Sequence, residues 1–179
     1  MLIAFLGKKR SGKTTCADYL VNKGFKKVNF KDALIDELKE NFPDLLREIG
    51  DDFNDKTPVR RALLQNYGTE VRRRDDEDYW VKKWEQRAYG AELTTNVDIV
   101  VDDCRFLNEA EIIKKYNGII IKVEREGYNG DNHQSETEQD QIKPDFTIQN
   151  NSTVYELYEQ INKILLTYEA ILHYGIGFK

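Results

Sequence analysis

The stretch LIAFLGKKRSGKTT, residues 2–15, decides the fold of this 179-residue chain. Its first five residues are apolar and predict a buried strand, and the run that begins at Thr15 predicts a helix. Between them, residues 7–14 match the pattern G-x-x-x-x-G-K-[ST] of a phosphate-binding loop, which occurs where a strand leads into a helix. The stretch therefore predicts a nucleotide-binding α/β protein.

The residues of this loop have separate expected roles. Glycines at both ends lack a Cβ atom, so the backbone can turn and point its N–H groups at phosphate oxygens. Lys13 is expected to reach the β- and γ-phosphates, and the hydroxyl of Thr14 is expected to bind Mg²⁺. The predicted ATP-binding residues are Gly7, Lys8, Arg10, Ser11, Gly12, Lys13, Thr14 and Thr15.

Length and composition predict a single domain, residues 1–179. The hydrophobic fraction is 40%, which suffices for one core in a chain of this length. The net charge of −5 argues against stable binding to nucleic acid or to an anionic membrane surface. No apolar run approaches the length of a membrane span, and the first one is too short for a signal peptide. We therefore expect a soluble, cytoplasmic protein whose partners are small molecules.

The rest of the chain continues the alternation of strands and helices. Strands are predicted at 25–30, 97–101, 119–123 and 146–148. Helices are predicted at 15–21, at 33–42, throughout 43–90, at 108–116 and after a capping box at Thr153. This order predicts three layers: a mainly parallel sheet, helices on both faces, and a ligand at the carboxyl ends of the strands.

Two segments have further expected features. In the helical region, Thr57 is expected to cap a helix that begins with Pro58, and Gly68 is expected to break or end a helix. Residues 125–144 are polar and have no Lys or Arg between positions 126 and 142. This second segment is predicted to form a mobile loop or lid.

Carboxylates follow two of the predicted strands. Asp102 and Asp103 end the strand at 97–101, where an acidic group can hold Mg²⁺. Only one of them can point inward, because successive side chains of a strand face opposite ways. Asp103 is favoured and Asp102 is second, with helix capping or solvent exposure of both as the alternative. Arg105 shares the face of Asp103, and its guanidinium can make two hydrogen bonds to a phosphate.

Asp32 follows the strand at 25–30. Its position fits a helix N-cap as well as a residue of the site.

The helical region also carries candidate substrate residues. Arg61 and Gln65 are four positions apart and share one helix face. A guanidinium for an anionic substrate, an amide for a base edge and nearby aromatic rings would suit a nucleoside monophosphate. For any one arginine, a solvated charged face is the alternative.

Several segments together resemble the deoxynucleoside monophosphate kinases of tailed bacteriophages and their bacterial relatives. The discriminating pieces are LLQNYGTEVR at residues 63–72 and DCRFLNEA at residues 103–110. The phosphate loop and residues 29–34, 133–136 and 148–151 occur in the same order as in that family. The resemblance extends over nearly the whole chain.

This resemblance implies a three-layer P-loop kinase fold with a helical substrate-binding insertion at about 43–92 and a lid at about 125–144. It implies Mg²⁺-dependent transfer of the γ-phosphoryl group of ATP to a deoxynucleoside 5′-monophosphate for DNA precursor synthesis, with a homodimer as a candidate assembly. The implied catalytic residues are Lys13, Asp103 and Arg105, with Arg10 supplying positive charge that the acidic lid lacks. The implied metal residues are Thr14 and Asp103, and the implied substrate residues are Asp32, Arg61, Gln65, Arg72, Arg105 and Glu136.

Two other functions stay open at this point. Another small-molecule kinase of the same fold, acting on dephospho-coenzyme A or phosphomevalonate, would have the same loop and strand-end aspartate. A non-enzymatic ATP-bound regulatory module would instead use Arg60, Arg61 and residues 72–74 as a basic patch for nucleic acid. The acidic net charge counts against this second function.

Overall fold

The computed structural model describes residues 1–53, 57–89, 97–128 and 137–174. The chain divides into two compact units, Met1–Lys27 with Asp98–Lys179, and Val28–Val97. The first unit contains the sheet and the phosphate loop, and the second is helical in its described part. That the two units work as one kinase domain stays a prediction.

The elements follow the predicted alternation. The strands are β1 (Leu2–Leu6), β2 (Lys26–Lys27), β3 (Ile99–Val101), β4 (Ile119–Glu124) and β5 (Phe146–Gln149). The α-helices are α1 (Lys13–Val21), α2 (Phe30–Asn41), α3 (Pro43–Ile49), α4 (Pro58–Gln65), α5 (Tyr79–Tyr89), α6 (Leu107–Lys115) and α7 (Val154–Tyr174). A π-helical segment, Asn66–Arg73, continues α4, and a 3₁₀ turn, Glu138–Gln141, precedes β5. In the described part of the chain, no helix combines the length and apolar character needed to cross a membrane.

The sheet of the first unit has the strand order β2-β3-β1-β4-β5. Each pair of neighbouring strands is parallel, which confirms the predicted sheet. The second strand is shorter than the predicted 25–30, because the chain turns into α2 already at Phe30. The carboxylate of Asp32 accepts the backbone N–H of Asn29 at 2.8 Å and stabilises this early helix start.

Helices cover both faces of the sheet. Leu20 of α1 and Ile161 of α7 pack with Phe5 of β1 in one buried core. Ile113 of α6 instead lies beside Leu2, whose side chain points to the face opposite Phe5, because side chains alternate along a strand. The three layers predicted from the sequence are therefore present in the first unit.

The helical unit has its own buried core and contains two buried indole rings, those of Trp80 and Trp84. Trp84 is fully buried, and its ring nitrogen donates to the carbonyl of Val28 at 2.9 Å. Thr57 caps α4, as predicted, by accepting the N–H of Arg60 at 3.3 Å, and Pro58 is the first helical residue. These local features confirm that this part of the chain is mainly helical, but the described residues between α3 and α4 are not, so helix throughout 43–90 was wrong there.

Gly68 does not break or end a helix, so that expectation was wrong. It lies inside the π-helical segment, where the side chain of Leu34 comes within 3.3 Å of the position that a Cβ atom would take. Its carbonyl accepts a hydrogen bond from the ring nitrogen of Trp80 at 2.9 Å. The glycine is there for close packing rather than for helix termination.

Candidate active site

In the first unit, the helices that follow two neighbouring strands diverge to opposite faces of the sheet. β1 and β3 are neighbours, but α1 and α6, which follow them, lie on opposite faces. In open α/β sheets, ligands bind at the carboxyl ends of strands where such a divergence occurs. The phosphate loop follows β1, and Asp102 and Asp103 follow β3, so the fold brings these two predicted groups to the same edge.

The backbone of the phosphate loop fits only glycine at both ends. Gly7 has a φ of +146° and Gly12 a φ of +109°. A Cβ atom would lie 2.3 Å from the carbonyl oxygen of Val123 at the first position, and 2.3 Å from Nδ2 of Asn150 at the second. Helix α1 begins at Lys13, so the loop ends at a helix N-terminus whose free N–H groups attract anions.

The polar side chains of the loop fit a phosphate ligand. Lys13 is only 7% exposed, and its ammonium donates to the carbonyl oxygens of Gly7 and Lys8, the latter at 2.9 Å. Ser11 is buried, and its hydroxyl has no hydrogen-bond partner among the described residues. A buried cation held by loop carbonyls beside a buried hydroxyl is a suitable setting for phosphate oxygens, which both groups can bind.

The remaining loop residues are more exposed. Arg10 is exposed, has a φ of +65°, and has no hydrogen bond or ion pair within the described ranges. Thr14 is exposed and Thr15 half-buried in the first turn of α1. A guanidinium and a hydroxyl are therefore accessible to a ligand beside the loop.

Two amide side chains support the phosphate loop, and the sequence patterns predicted no role for either of them. Asn150, directly after β5, donates from Nδ2 to the carbonyl of Ser11 at 2.7 Å. Gln139 accepts the N–H of Gly7 on its Oε1 at 3.2 Å. Asn150 lies in a segment that matches the family, but neither amide belongs to a spacing pattern that indicates a loop contact.

Asp102, the second candidate for the metal, is the more buried of the two strand-end aspartates. It is 5% exposed, and its Oδ2 lies 3.4 Å from Nζ of Lys27. Burial disfavours the charged form of Lys27, but its contacts with Asp18 and Asp102 outweigh burial and raise its pKa. Asp103 is half-buried, and its assignment to the metal stays a prediction.

Glu109 fixes the backbone at Arg105 and Phe106, just before α6. Its carboxylate is buried and accepts the backbone N–H of Arg105 at 2.8 Å and that of Phe106 at 3.1 Å. The glutamate of the sequence DCRFLNEA therefore has a structural role, because it caps the start of α6. The half-buried side chain of Arg105 is carried by a backbone held in this way.

In the helical unit, Arg61 and Gln65 lie on one face of α4, as predicted. Both are half-buried. Neither side chain has a hydrogen bond or ion pair with the described residues. The guanidinium of Arg61 and the amide of Gln65, four residues apart, are therefore both available to bind a substrate.

Arg72 is engaged within the protein. The hydrogen bonds of a π-helical turn join residues five apart, and this turn places Arg72 over Tyr67. Nη2 of Arg72 lies 2.8 Å from the hydroxyl of Tyr67. Nη2 also lies 3.1 Å from Glu37, and the guanidinium lies 5.2 Å from the ring centres of Tyr67 and Tyr79. The hydrogen bond with Tyr67 and the charge of Glu37 raise the pKa of Arg72 against the effect of burial.

The substrate roles of Arg72, Asp32 and Glu136 stay predictions, as do those of Arg61, Gln65 and Arg105. The contact of Arg72 with Glu37 does not join it to Arg61 or Gln65. Asp32 is not the N-cap, because α2 begins at Phe30 with Asn29 as its N-cap; it is the third helical residue and stabilises the helix start by accepting the N–H of Asn29. Glu136 and residues 129–135 of the predicted lid lie outside the described residues.

Comparisons with known proteins show which family this chain matches. The family model described as "Deoxynucleotide monophosphate kinase" matches residues 44–161. A putative deoxynucleotide monophosphate kinase of Acanthamoeba polyphaga mimivirus is 34% identical over an alignment of 187 positions, gaps included, which covers 90% of this chain and 94% of that protein. The deoxynucleotide monophosphate kinase of Escherichia phage RB69 is 34% identical over 123 residues, 67% of this chain and 50% of the phage protein.

Among solved structures, TT1252 from Thermus thermophilus has a TM-score of 0.54 with 16% identity, and the match covers 93% of this chain and 97% of that one. This likeness concerns the fold alone and agrees with the parallel α/β sheet described above. The family match extends over more than half of the chain, from α3 into α7, and includes both discriminating pieces of sequence. The protein belongs to the deoxynucleotide monophosphate kinase family, and its enzymatic class is that of a kinase.

Proposed function

We propose that this protein transfers the γ-phosphoryl group of ATP to a deoxynucleoside 5′-monophosphate and so supplies diphosphates for DNA precursor synthesis. The observation that carries the proposal is the phosphate loop with its buried Lys13, in a chain of this family. Family membership favours this activity over the non-enzymatic module and over kinases of other small molecules.

The donor half of the reaction is assigned to the first unit. The loop N–H groups and the start of α1 would hold the β- and γ-phosphates, and Lys13 would exchange the carbonyls of Gly7 and Lys8 for phosphate oxygens. Mg²⁺, when bound, neutralises charge on those oxygens. Thr14 and Asp103 would hold it, with Asp102 as the second candidate, because these oxygen ligands suit the ion.

The acceptor half is assigned to α4. Arg61 would fork onto the monophosphate, because guanidinium geometry matches phosphate oxygens. Gln65 would pair with an edge of the base, and Arg105 of the first unit would contact the transferring phosphoryl group. The transition state of phosphoryl transfer is loose, so these side chains need mainly to align the reactants and stabilise charge.

An ADP-release assay with each of the four deoxynucleoside monophosphates and their ribose counterparts tests the reaction. We expect stimulation by at least one deoxy acceptor in the presence of Mg²⁺ and none after chelation. Lys13→Ala should lower kcat by about 100-fold or more, since a charge that acts on the transition state is removed. Lys23→Ala, just beyond α1, is the matched control. Absence of stimulation by all four acceptors would reject the proposal.

The acceptor assignment has its own test. Arg61→Ala should raise KM for the monophosphate by about 10- to 100-fold, the equivalent of one charge-assisted hydrogen bond. KM for ATP should stay unchanged. Arg47→Ala, an exposed arginine of α3 in the same unit, should change neither constant. Equal effects of the two substitutions would remove Arg61 from the site.

A further inference from the structure

The 3₁₀ turn Glu138–Gln141 is anchored at three points around the phosphate loop. Glu138 accepts the N–H of Leu107, the first residue of α6, at 2.9 Å. Gln139 accepts the N–H of Gly7 at 3.2 Å. Asp140 pairs with Nζ of Lys8 at 2.7 Å. Three consecutive side chains of a turn within the predicted lid range thus contact the phosphate loop and the start of α6.

These three anchors differ in how well they are shielded from water. The side chains of Lys8 and Asp140 are 22% and 55% exposed, and solvent weakens an ion pair of this kind. Gln139 is 2% exposed. A buried amide is costly unless it is hydrogen-bonded, so the bond to Gly7 is the contact that the fold protects.

The backbone of Gly7 is held from both sides. Its N–H donates to Gln139, and its carbonyl accepts from the ammonium of Lys13. In the proposed reaction Lys13 turns to the phosphates and leaves this carbonyl. The bond with Gln139 would then be what keeps Gly7, the first residue of the loop, in place while ATP is bound.

We propose that Gln139 is a positioning residue for the phosphate donor, which holds Gly7 so that the loop keeps the shape that binds ATP. The inference rests on the proposed function, because it takes ATP as the ligand of the loop. It adds a residue outside the loop motif, 132 positions away in sequence. It also explains why the side chain is a neutral amide, since a buried carboxylate here would repel the nearby phosphates.

The chain offers a matched control on the same turn, because Gln141 is exposed. Gln139→Met keeps an unbranched side chain of similar length but removes the acceptor, and Gln141→Met makes the same exchange on the surface. We expect Gln139→Met to weaken ATP binding, measured by direct titration, about tenfold, as for the loss of one buried hydrogen bond. KM for the monophosphate should change less than about twofold, and Gln141→Met should behave as wild type.

Gln139→Asn covers the case in which the methionine variant does not fold. It keeps a buried amide but is one methylene shorter, so its oxygen no longer reaches Gly7, and it should weaken ATP binding in the same direction. Identical ATP affinities of the residue 139 and residue 141 variants would overturn the inference. So would a parallel loss of both substrate affinities and of thermal stability, which indicates a purely structural role.

The same titration separates this inference from the proposed function. If the wild-type protein binds ATP but phosphorylates no deoxynucleoside monophosphate, the proposed function fails, and the comparison of residues 139 and 141 still decides the role of Gln139. If the wild-type protein binds no ATP, both fail.

Discussion

Gly7→Ala should remove most of the ATP affinity, because the missing Cβ atom is what allows the loop to start beside β4. An added Cβ would lie 2.3 Å from the carbonyl oxygen of Val123 and 2.8 Å from the hydroxyl of Ser11. Ordinary contacts begin at 3.4 Å, so the shortfall at Val123 is about 1 Å. Val123 belongs to β4, which is paired on both sides, so its backbone cannot yield without breaking ladder hydrogen bonds.

Two costs add in this variant. An alanine held at a φ of +146° costs about 1–3 kcal/mol of backbone strain. The overlap with a fixed carbonyl costs about 1–3 kcal/mol more, as for overpacking of a core. If the loop relieves both by leaving its binding shape, the sum of about 2–6 kcal/mol corresponds to a loss of ATP affinity of about 30-fold or more.

Gly24→Ala separates the effect of backbone strain at a positive φ from the effect of overlap between the added Cβ atom and its neighbours. Gly24 also has a positive φ, +99°, but no atom lies within 4 Å of its Cβ position. Its substitution should lower the melting temperature slightly and leave ATP affinity unchanged. Both variants should be compared by ATP titration and thermal unfolding. A Gly7→Ala protein that binds ATP as tightly as the wild type would refute the reasoning about the loop.

Two further predictions concern buried groups. Trp84→Phe should lower the free energy of unfolding by about 1–3 kcal/mol, because the carbonyl of Val28 loses its buried donor; urea unfolding followed by circular dichroism measures this, and a change below about 0.5 kcal/mol would contradict it. Burial raises the pKa of Cys16 to about 12 and that of Cys104 well above its usual range, so both thiols should stay protonated at pH 8 and react with a thiol reagent only after denaturation. Rapid labelling of the native protein at pH 8 would contradict that burial.

Local patterns predicted the sheet well. The loop motif and the apolar runs of β1, β3 and β4 are carried by consecutive residues, so their signal does not depend on distant parts of the chain. The second strand was predicted too long, because the pairing of Asn29 with Asp32 favours an earlier helix start than the apolar Phe30 suggests. A local polar contact there outweighs a weak apolar alternation.

The supporting contacts of the site could not be predicted in this way. Gln139 and Gly7 are 132 positions apart, and no spacing reveals which polar side chains of a loop become buried. The contact between Tyr67 and Arg72 depends on the π-helical turn, because an α-helix places residues three or four apart, not five, on the same face. Both depend on tertiary structure that a residue pattern does not contain.

The positions of the two indole rings determine which part of the protein emits tryptophan fluorescence. Both tryptophans of the chain, Trp80 and Trp84, lie in the unit Val28–Val97, and Trp80 donates to the carbonyl of Gly68 within the π-helical segment. Tryptophan emission therefore originates in the unit that also contains the proposed acceptor residues, while the unit that carries the phosphate loop contributes none. A change in tryptophan emission therefore reports on the unit Val28–Val97 and not directly on the phosphate loop.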